Sequence, residues 1–274
     1  MTLEKEHLKD LKRIKEFRLI DDDFMNVCFD GNIEGVELLL RIILDKPDIV
    51  VEKVTTQKIM KNLLGRDVWF DIDAHDSSGK EYDIEIQRSD KGADKKRARY
   101  HSSILDAHLL KPKEDFSVLP ETFVIFITEH DVIGNNKPIY RIERYIEETG
   151  ERFNDGEHIV YVNGASENGT TELGKLMHDF LCEDPNDMYY IPLAEKVRYF
   201  KEDEKGVATM CKALEDMRNE VARETARETA EKTKVENALN LLKLGKLSFE
   251  EIANAIGLSV ERITELARMQ PARP

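Results

Sequence analysis

The chain has 274 residues, a net charge of −14 and 41% apolar residues, so it is long enough for a catalytic domain with a smaller appendage. No apolar run approaches the roughly 20 residues of a membrane span, and the charged N-terminus lacks a secretory hydrophobic segment. Three widely spaced cysteines without metal-ligand spacing are interpreted as small buried apolar residues: Cys28, Cys182 and Cys211. These features predict a cytoplasmic protein with no membrane partner, and the acidity argues against a nucleic-acid binder on composition alone.

The first part of the chain predicts a short series of helices and strands. Residues 1–20 form a Lys/Glu-rich lead-in that is expected to be partly helical and poorly fixed. A helix is predicted from Asn32 to Leu44, with Asn32 as its N-cap, because apolar residues recur there at helical spacing. A strand is predicted from Asp48 to Thr56, whereas residues 57–64 are ambiguous.

Two short stretches on either side of a polar turn are the most informative part of the sequence. Residues 69–73 and 83–87 each alternate apolar and polar residues, which predicts paired strands with one buried face. The turn between them suits a three-residue hairpin loop with Gly79 in the left-handed conformation. In this register three pairs face each other: Asp71 with Glu85, Asp73 with Asp83, and Trp69 with Gln87.

The opposed carboxylates of this hairpin need a compensating charge. Carboxylates directly across one sheet face repel each other, and hard oxygen ligands on adjacent strands suit Mg²⁺ or Mn²⁺. The pattern therefore predicts a divalent metal site. The alternative is a polar outer face on an edge hairpin, which has the same alternation.

The strands after the hairpin predict a mixed sheet. A helix is expected from Ala93 to Leu110, where Pro112 stops it, and Thr122 to Thr128 is apolar on both faces, as in a covered central strand. A crossover helix makes the strands that it links parallel, so the strand that contains Glu85 should run parallel to residues 122–128. Two further strands are predicted, Pro138 to Tyr145 and His158 to Val162.

The last third of the chain is predicted to be helical. Helices are expected over Glu172 to Leu181, Leu193 to Phe200 and from Val207 to roughly Lys234. Residues 201–236 are interpreted as a charged helical connector, with pairing of this helix between subunits as the alternative.

The final segment, residues 237–274, has the pattern of a small helix-turn-helix. Gly245 ends one helix, Ser248 and Glu251 make a capping box for the next, and Gly257 marks the following turn. Two roles remain open for this unit: contact with DNA, or protein packing that would form a homodimer through the C-terminal helices.

Three sequence blocks carry a resemblance to a known family: Phe70-Asp71-Ile72-Asp73-Ala74, Tyr82 through Arg88, and Lys96 through His101. In this order and at this spacing they resemble the motifs of the PD-(D/E)XK nuclease superfamily. The match is closest to its branch of recombination-promoting nucleases, the PD-(D/E)XK nuclease family transposases. The resemblance runs from about Asp22 to about Leu266. It implies an α/β fold, with a restriction-endonuclease-like α/β/α core and a mixed sheet over residues 21–200, followed by an all-helical C-terminal region.

The resemblance also implies an activity. The expected function is a metal-dependent DNA endonuclease, a deoxyribonuclease that hydrolyses phosphodiester bonds, associated with recombination or mobile elements. Mg²⁺, or Mn²⁺, would be bound by Asp71, Glu85 and the backbone carbonyl of Ile86. Gln87 stands where most members have lysine, and it can hydrogen-bond a water but carries no charge. The alternative is therefore a degenerate nuclease fold that acts as a nucleic-acid-binding or oligomeric regulatory module.

Other predicted site residues lie on the flanking helices. Glu34 is the candidate for the extra acid that such nucleases often carry on their first helix, or else it is a surface residue beside Glu37. Basic residues concentrate after the hairpin, and four side chains are predicted to contact DNA, with a solvated helix face as the alternative: Arg88, Lys96, Arg97 and Tyr100. Three histidines without ligand spacing are expected at the surface: His75, His101 and His108.

Overall fold

The computed structural model describes residues 3–62 and 65–269, apart from the side chains of residues 3–5, 90 and 91. It divides into two compact units, Met1–Lys212 and Ala213–Pro274. The ends of the predicted lead-in, of the ambiguous stretch and of the C-terminal unit lie outside the described residues: 1–2, 63–64 and 270–274.

The first unit is built on one mixed sheet. Its strands are β1 Val51–Met60, β2 Val68–Asp76, β3 Glu81–Gln87, β4 Thr122–Thr128, β5 Ile139–Ile142 and β6 Glu157–Asn163. Their order across the sheet is β1-β2-β3-β4-β6-β5. Strands β1, β2 and β3 are antiparallel, β4 is parallel to both β3 and β6, and β5 is antiparallel to β6. The mixed sheet and the parallel β3–β4 pair are confirmed.

The described residues also form α-helices in both units. Their bounds are α1 Leu3–Glu16, α2 Asp22–Phe29, α3 Ile33–Leu44, α4 Lys95–Leu109, α5 Glu172–Leu181, α6 Ile191–Glu202, α7 Glu204–Leu244, α8 Phe249–Ile256 and α9 Val260–Met269. Helix α4 is the crossover between β3 and β4, as predicted, and the sheet with its helices confirms the α/β fold with a helical C-terminal region. Within the described part of the chain, no helix is long and apolar enough to cross a membrane.

Local sequence signals place the elements around the hairpin. The Asn32 side chain accepts a hydrogen bond from the backbone N–H of Gly35 at 3.0 Å, which caps α3 as predicted. In the β2–β3 turn, Oδ1 of Asp76 accepts from the N–H groups of Ser78 and Lys80 at 2.9 and 3.0 Å. Gly79 has φ of +85°, so the turn has the predicted left-handed glycine. Every residue of β4 is buried, which confirms a central strand.

The N-terminal segment is packed, so the expectation that residues 1–20 are poorly fixed is wrong. Ile14, Leu19 and Ile20 are each about 1% exposed. The buried ammonium group of Lys201, on α6, donates to the carbonyl oxygens of Lys15 and Phe17 at 2.9 and 2.5 Å. The apolar residues at the end of the lead-in are therefore part of the core, whereas Leu8 in the middle of α1 is exposed.

The second unit has the small helical architecture that its helix-capping residues and glycines predict. Ser248 and Glu251 form a capping box at the start of α8, and Gly257 ends that helix with φ of +70°. Buried apolar residues from the end of α7, α8 and α9 form its core: Ala238, Ile252, Ala253, Ile263 and Leu266.

Candidate active site

The β2–β3 ladder opens where the two predicted metal ligands meet. Backbone pairing runs from His75–Glu81 to Ile72–Ile84 and includes the predicted Asp73–Asp83 pair. Beyond Ile72, the N–H of Asp71 donates to Oε1 of Glu85 at 3.1 Å, and Oδ2 of Asp71 accepts from the N–H of Ile86 at 2.9 Å. Side-chain carboxylates thus replace ladder bonds at this point, and both are held by the opposite strand.

Asp71 lies among polar amides. Gln87 Nε2 is 3.5 Å from its Oδ2, and Gln57 Nε2 is 3.4 Å from its Oδ1. Burial raises the pKa of Asp71 to about 6; the bond from Ile86 N–H opposes this rise, and the Asp22 carboxylate adds to it. The protein environment therefore disfavours ionisation of the Asp71 carboxyl group.

Glu85 is fully buried, and one cation reaches it. The guanidinium of Arg97, on α4, donates to Oε2 of Glu85 at 2.9 Å. Burial raises the pKa of Glu85 well above its ordinary range, and the neighbouring carboxylates of Asp83 and Asp71 raise it further. Arg97 and His101 act in the opposite direction, so the positive charge nearest to Glu85 comes from α4.

His101 belongs to this site, so its predicted surface position is wrong. Its ring is buried, stacks on Phe70 with centroids 5.6 Å apart, and lies 2.9 Å through Nδ1 from Oδ2 of Asp83. Arg97 Nε donates to His101 Nε2 at 3.2 Å, which assigns the ring proton to Nδ1, where it is donated to Asp83. The spacing of four residues from Arg97, one helical turn, was the sequence signal for this placement.

The cluster has donors that suit a hard divalent cation. Ligand atoms of Asp83, Glu85 and His101 lie within 4.8 Å of one another, and of these three residues only Glu85 belongs to the predicted ligand set. Both ring nitrogens of His101 are already engaged, by Asp83 and Arg97, so the carboxylates are the donors that suit a cation. Oδ1 of Asp83 and Oδ1 of Asp73 are buried and have no hydrogen-bond partner among the described residues. Four buried carboxylates share this region: Asp71, Asp73, Asp83 and Glu85. Two cationic side chains pair with them, Arg97 with Glu85 and Lys58 with Asp73, the latter at 2.7 Å.

A second acid near Asp71 comes from α2, which sequence reasoning missed. Asp22 begins that helix, and its charge raises the pKa of Asp71. Partial desolvation raises the pKa of Asp22 itself, and adjacent Asp23 adds to the effect. The run of three aspartates at 21–23 was a helix-start signal that could have identified this helix. Glu34, the predicted extra acid, is exposed in the first turn of α3.

The four predicted DNA contacts differ in their surroundings. Lys96 is exposed, and Arg97 pairs with Glu85. Arg88 pairs with Asp21 at 2.8 Å and with Glu129 at 3.5 Å, so acids already compensate it. The Tyr100 hydroxyl donates to the carbonyl of Arg66 at 2.7 Å. That bond ties α4 to the loop before β2.

Comparison with protein families gives one result that bears on this site. The model of the PD-(D/E)XK nuclease family transposases matches residues 36–243, and the chain belongs to this family. The match covers β1 to β6 and α4, which carry the acidic cluster, whereas α2 with Asp22 lies before it. Membership indicates a nuclease-like function. Comparison with curated proteins gave no significant match, and comparison with solved structures gave none.

Proposed function

We propose that the chain is a divalent-metal-dependent DNA endonuclease whose site is centred on Asp71 and Glu85. The observation that carries this proposal is the opening of the β2–β3 ladder, where both carboxylates bond to the opposite strand. Two oxygen donors are thereby fixed by backbone groups rather than by flexible side-chain contacts. Such preorganisation is what a phosphodiester-cleaving site requires.

The donor set fits Mg²⁺ or Mn²⁺. Asp71, Glu85 and the carbonyl of Ile86 would hold the ion, which would polarise the scissile phosphate and offset its developing negative charge. The fit rests on charge: the four buried carboxylates of this region outnumber the two cations that pair with them, and one oxygen each of Asp73 and Asp83, beside the proposed ligands, has no hydrogen-bond partner among the described residues. Such a cluster is electrostatically costly unless it takes up protons or a cation.

The surrounding side chains have distinct roles in this proposal. The amide of Gln87 is at Asp71 and can orient a water without taking its proton, since it does not titrate. Arg97 neutralises Glu85 and can present its guanidinium to a phosphate oxygen. Asp83 orients His101 through Nδ1, and His101 in turn accepts a bond from Arg97. Asp83 and His101 are therefore positioning residues for the Arg97 guanidinium.

Cleavage of supercoiled plasmid tests the proposal. Purified protein is incubated at low salt with Mg²⁺, Mn²⁺, Ca²⁺ or EDTA, beside Glu85→Gln and a matched variant of the same strand, Glu81→Gln. Glu81 pairs with His75 instead of the cluster. We expect nicking with Mg²⁺ or Mn²⁺, a loss of at least about 100-fold in Glu85→Gln, and near wild-type rates in Glu81→Gln.

Two outcomes would count against the enzyme. Equal cleavage by wild type and Glu85→Gln would show that the site lies elsewhere or that the nuclease is a contaminant. No cleavage with any metal, together with retained DNA binding, would favour the degenerate nuclease fold as a binding or regulatory module. The neutral Gln87 in place of lysine is the feature that favours this second candidate.

Double-strand cleavage would need two copies of the site, because one site cuts one strand. We propose a homodimer formed through the C-terminal helices, in a protein associated with recombination or mobile elements. Sedimentation at several protein concentrations tests the dimer. A mass of one chain at every concentration would contradict it.

A further inference from the structure

A cleft of about 680 Å³ lies beside the acidic cluster, between the start of β2 and the N-terminal half of α4. Arg97 and His101 form one wall and contact Glu85 from there, at 2.9 and 3.7 Å. Arg66 and Lys96, both exposed, also line the cleft, so that three cationic side chains stand against one acid in its lining, Asp67. In a chain with a net charge of −14, this is a local concentration of positive charge.

Trp69 also lines this cleft and is the only tryptophan of the chain. It is 49% exposed, although its neighbours in β2, Val68 and Phe70, are buried. No aromatic ring stacks on the indole among the described residues. Its partner across the β1–β2 ladder, Ile59, is also exposed. A large aromatic side chain left in water at this position, two residues from Asp71, is available to a ligand.

We propose that the cleft binds an unpaired nucleotide of a DNA strand, with its base stacked on Trp69 and its phosphates near Arg66 and Lys96. This inference rests on the proposed nuclease function and specifies its substrate. An aromatic face combined with cationic side chains is the chemistry that holds single strands. Bases inside a duplex have both faces covered by neighbouring bases, so away from duplex ends only an unpaired base can stack on the indole. The site therefore prefers DNA with gaps, single-stranded tails or branches over fully paired DNA.

Tryptophan fluorescence gives a direct test, since all of the signal comes from Trp69. Full-length protein in EDTA is titrated with a short single strand, with the blunt duplex of the same sequence, and with the same single strand carrying abasic positions. We expect saturable quenching by the single strand and about 10-fold weaker binding of the abasic strand. Absence of quenching, or equal affinity for the intact and abasic strands, would overturn the proposal.

Variants separate stacking from a general loss of binding. Anisotropy with labelled DNA should show that Trp69→Leu weakens single-strand binding about 10-fold while Trp69→Phe retains most of it, because only phenylalanine keeps an aromatic face. Phe116→Leu, at a more exposed aromatic residue that does not line the cleft, is the control and should bind as wild type. An equal loss for single strand and duplex in Trp69→Leu would contradict stacking on an unpaired base.

The two proposals fail in different ways. If plasmid is nicked with Mg²⁺ but Trp69→Leu leaves the preference for gapped over intact DNA unchanged, the cleft proposal is overturned and the nuclease stands. If no metal supports cleavage but the single strand quenches Trp69 and the abasic strand binds weakly, the nuclease is overturned and the cleft remains a site for unpaired nucleotides.

Discussion

Asp73 and Asp83 lie directly opposite each other in the β2–β3 ladder, and each has one buried carboxylate oxygen without a hydrogen-bond partner. Asp73 is compensated by Lys58 at 2.7 Å, whereas Asp83 is fully buried and is bonded by His101. Opposed like charges in a sheet destabilise it. This arrangement is therefore retained at a cost in folding free energy.

Removing the charge of Asp83 should stabilise the protein. An asparagine can still accept the bond from His101 through its amide oxygen, and it removes the repulsion with Asp73. We expect Asp83→Asn to increase the free energy of unfolding by about 1 kcal/mol in EDTA at pH 8, measured with urea. Asp76→Asn in the turn is the contrasting variant, since Asp76 accepts several bonds there and its loss should destabilise. A less stable Asp83→Asn protein would show that the carboxylate is compensated after all.

Gly92 offers a way to displace Gln87 without replacing it. A Cβ at Gly92 would clash with Oε1 of Gln87, so Gly92→Ala must move that side chain from the position in which its amide contacts Asp71. Because the side chain is flexible, the cost in stability should be small. We expect Gly92→Ala to reduce the rate of plasmid nicking as strongly as Gln87→Ala does, by about 10-fold, the scale of losing one positioning contact.

A double variant checks that Gly92 acts through Gln87. If the alanine methyl works only by moving that side chain, Gly92→Ala combined with Gln87→Ala should lose no more activity than Gln87→Ala alone. Additive losses would assign Gly92 an independent effect on the turn after β3.

The sequence predicted what depends on local pattern. The alternation predicted β2 and β3 as paired strands, and the length of the hairpin loop predicted the Asp73–Asp83 register. The cap of Asn32 and the left-handed Gly79 follow from elementary backbone chemistry. It did not predict His101 in the site, because the spacing of four residues from Arg97 places both on one helix face but does not show which element that face contacts. Its burial depends on Phe70, which packs against it from another element.

The acid near Asp71 illustrates a second limit. Glu34 and Asp22 are both acids in the first turn of a helix, and no local pattern ranks one above the other. Which helix approaches Asp71 is decided by the tertiary packing of α2 and α3 against the sheet. The Coulomb effect of Asp22 on Asp71 is a product of that packing.

Lys201 holds the N-terminal helix to the rest of the first unit. Its buried ammonium donates to the carbonyls of Lys15, Phe17 and Glu183 at 2.9, 2.5 and 2.5 Å. Lys201→Met leaves these acceptors unsatisfied, so the free energy of unfolding should fall by about 3 kcal/mol in urea. Lys196→Met is the control on the same helix. An unchanged midpoint in Lys201→Met would show that water satisfies the carbonyls.

Arg97 has two potential partners, Glu85 and a DNA phosphate. Its guanidinium cannot form a full ion pair with both at the same time. In the metal-free protein its guanidinium is 2.9 Å from Glu85, so the pair is internally compensated. A divalent cation at Glu85 would compete for that carboxylate and leave Arg97 available to phosphate. We therefore expect Arg97→Ala to make the salt dependence of DNA binding shallower in Ca²⁺, by about 0.9 in the slope of log affinity against log salt concentration, with little change in EDTA.

The matched control is Arg99→Ala, because Arg99 is exposed and lies two residues further along α4. Any change in slope that it causes should be the same in Ca²⁺ and in EDTA. If Arg97→Ala lowers the slope equally with and without Ca²⁺, Arg97 contacts phosphate without leaving Glu85, and competition between cation and guanidinium does not govern DNA binding.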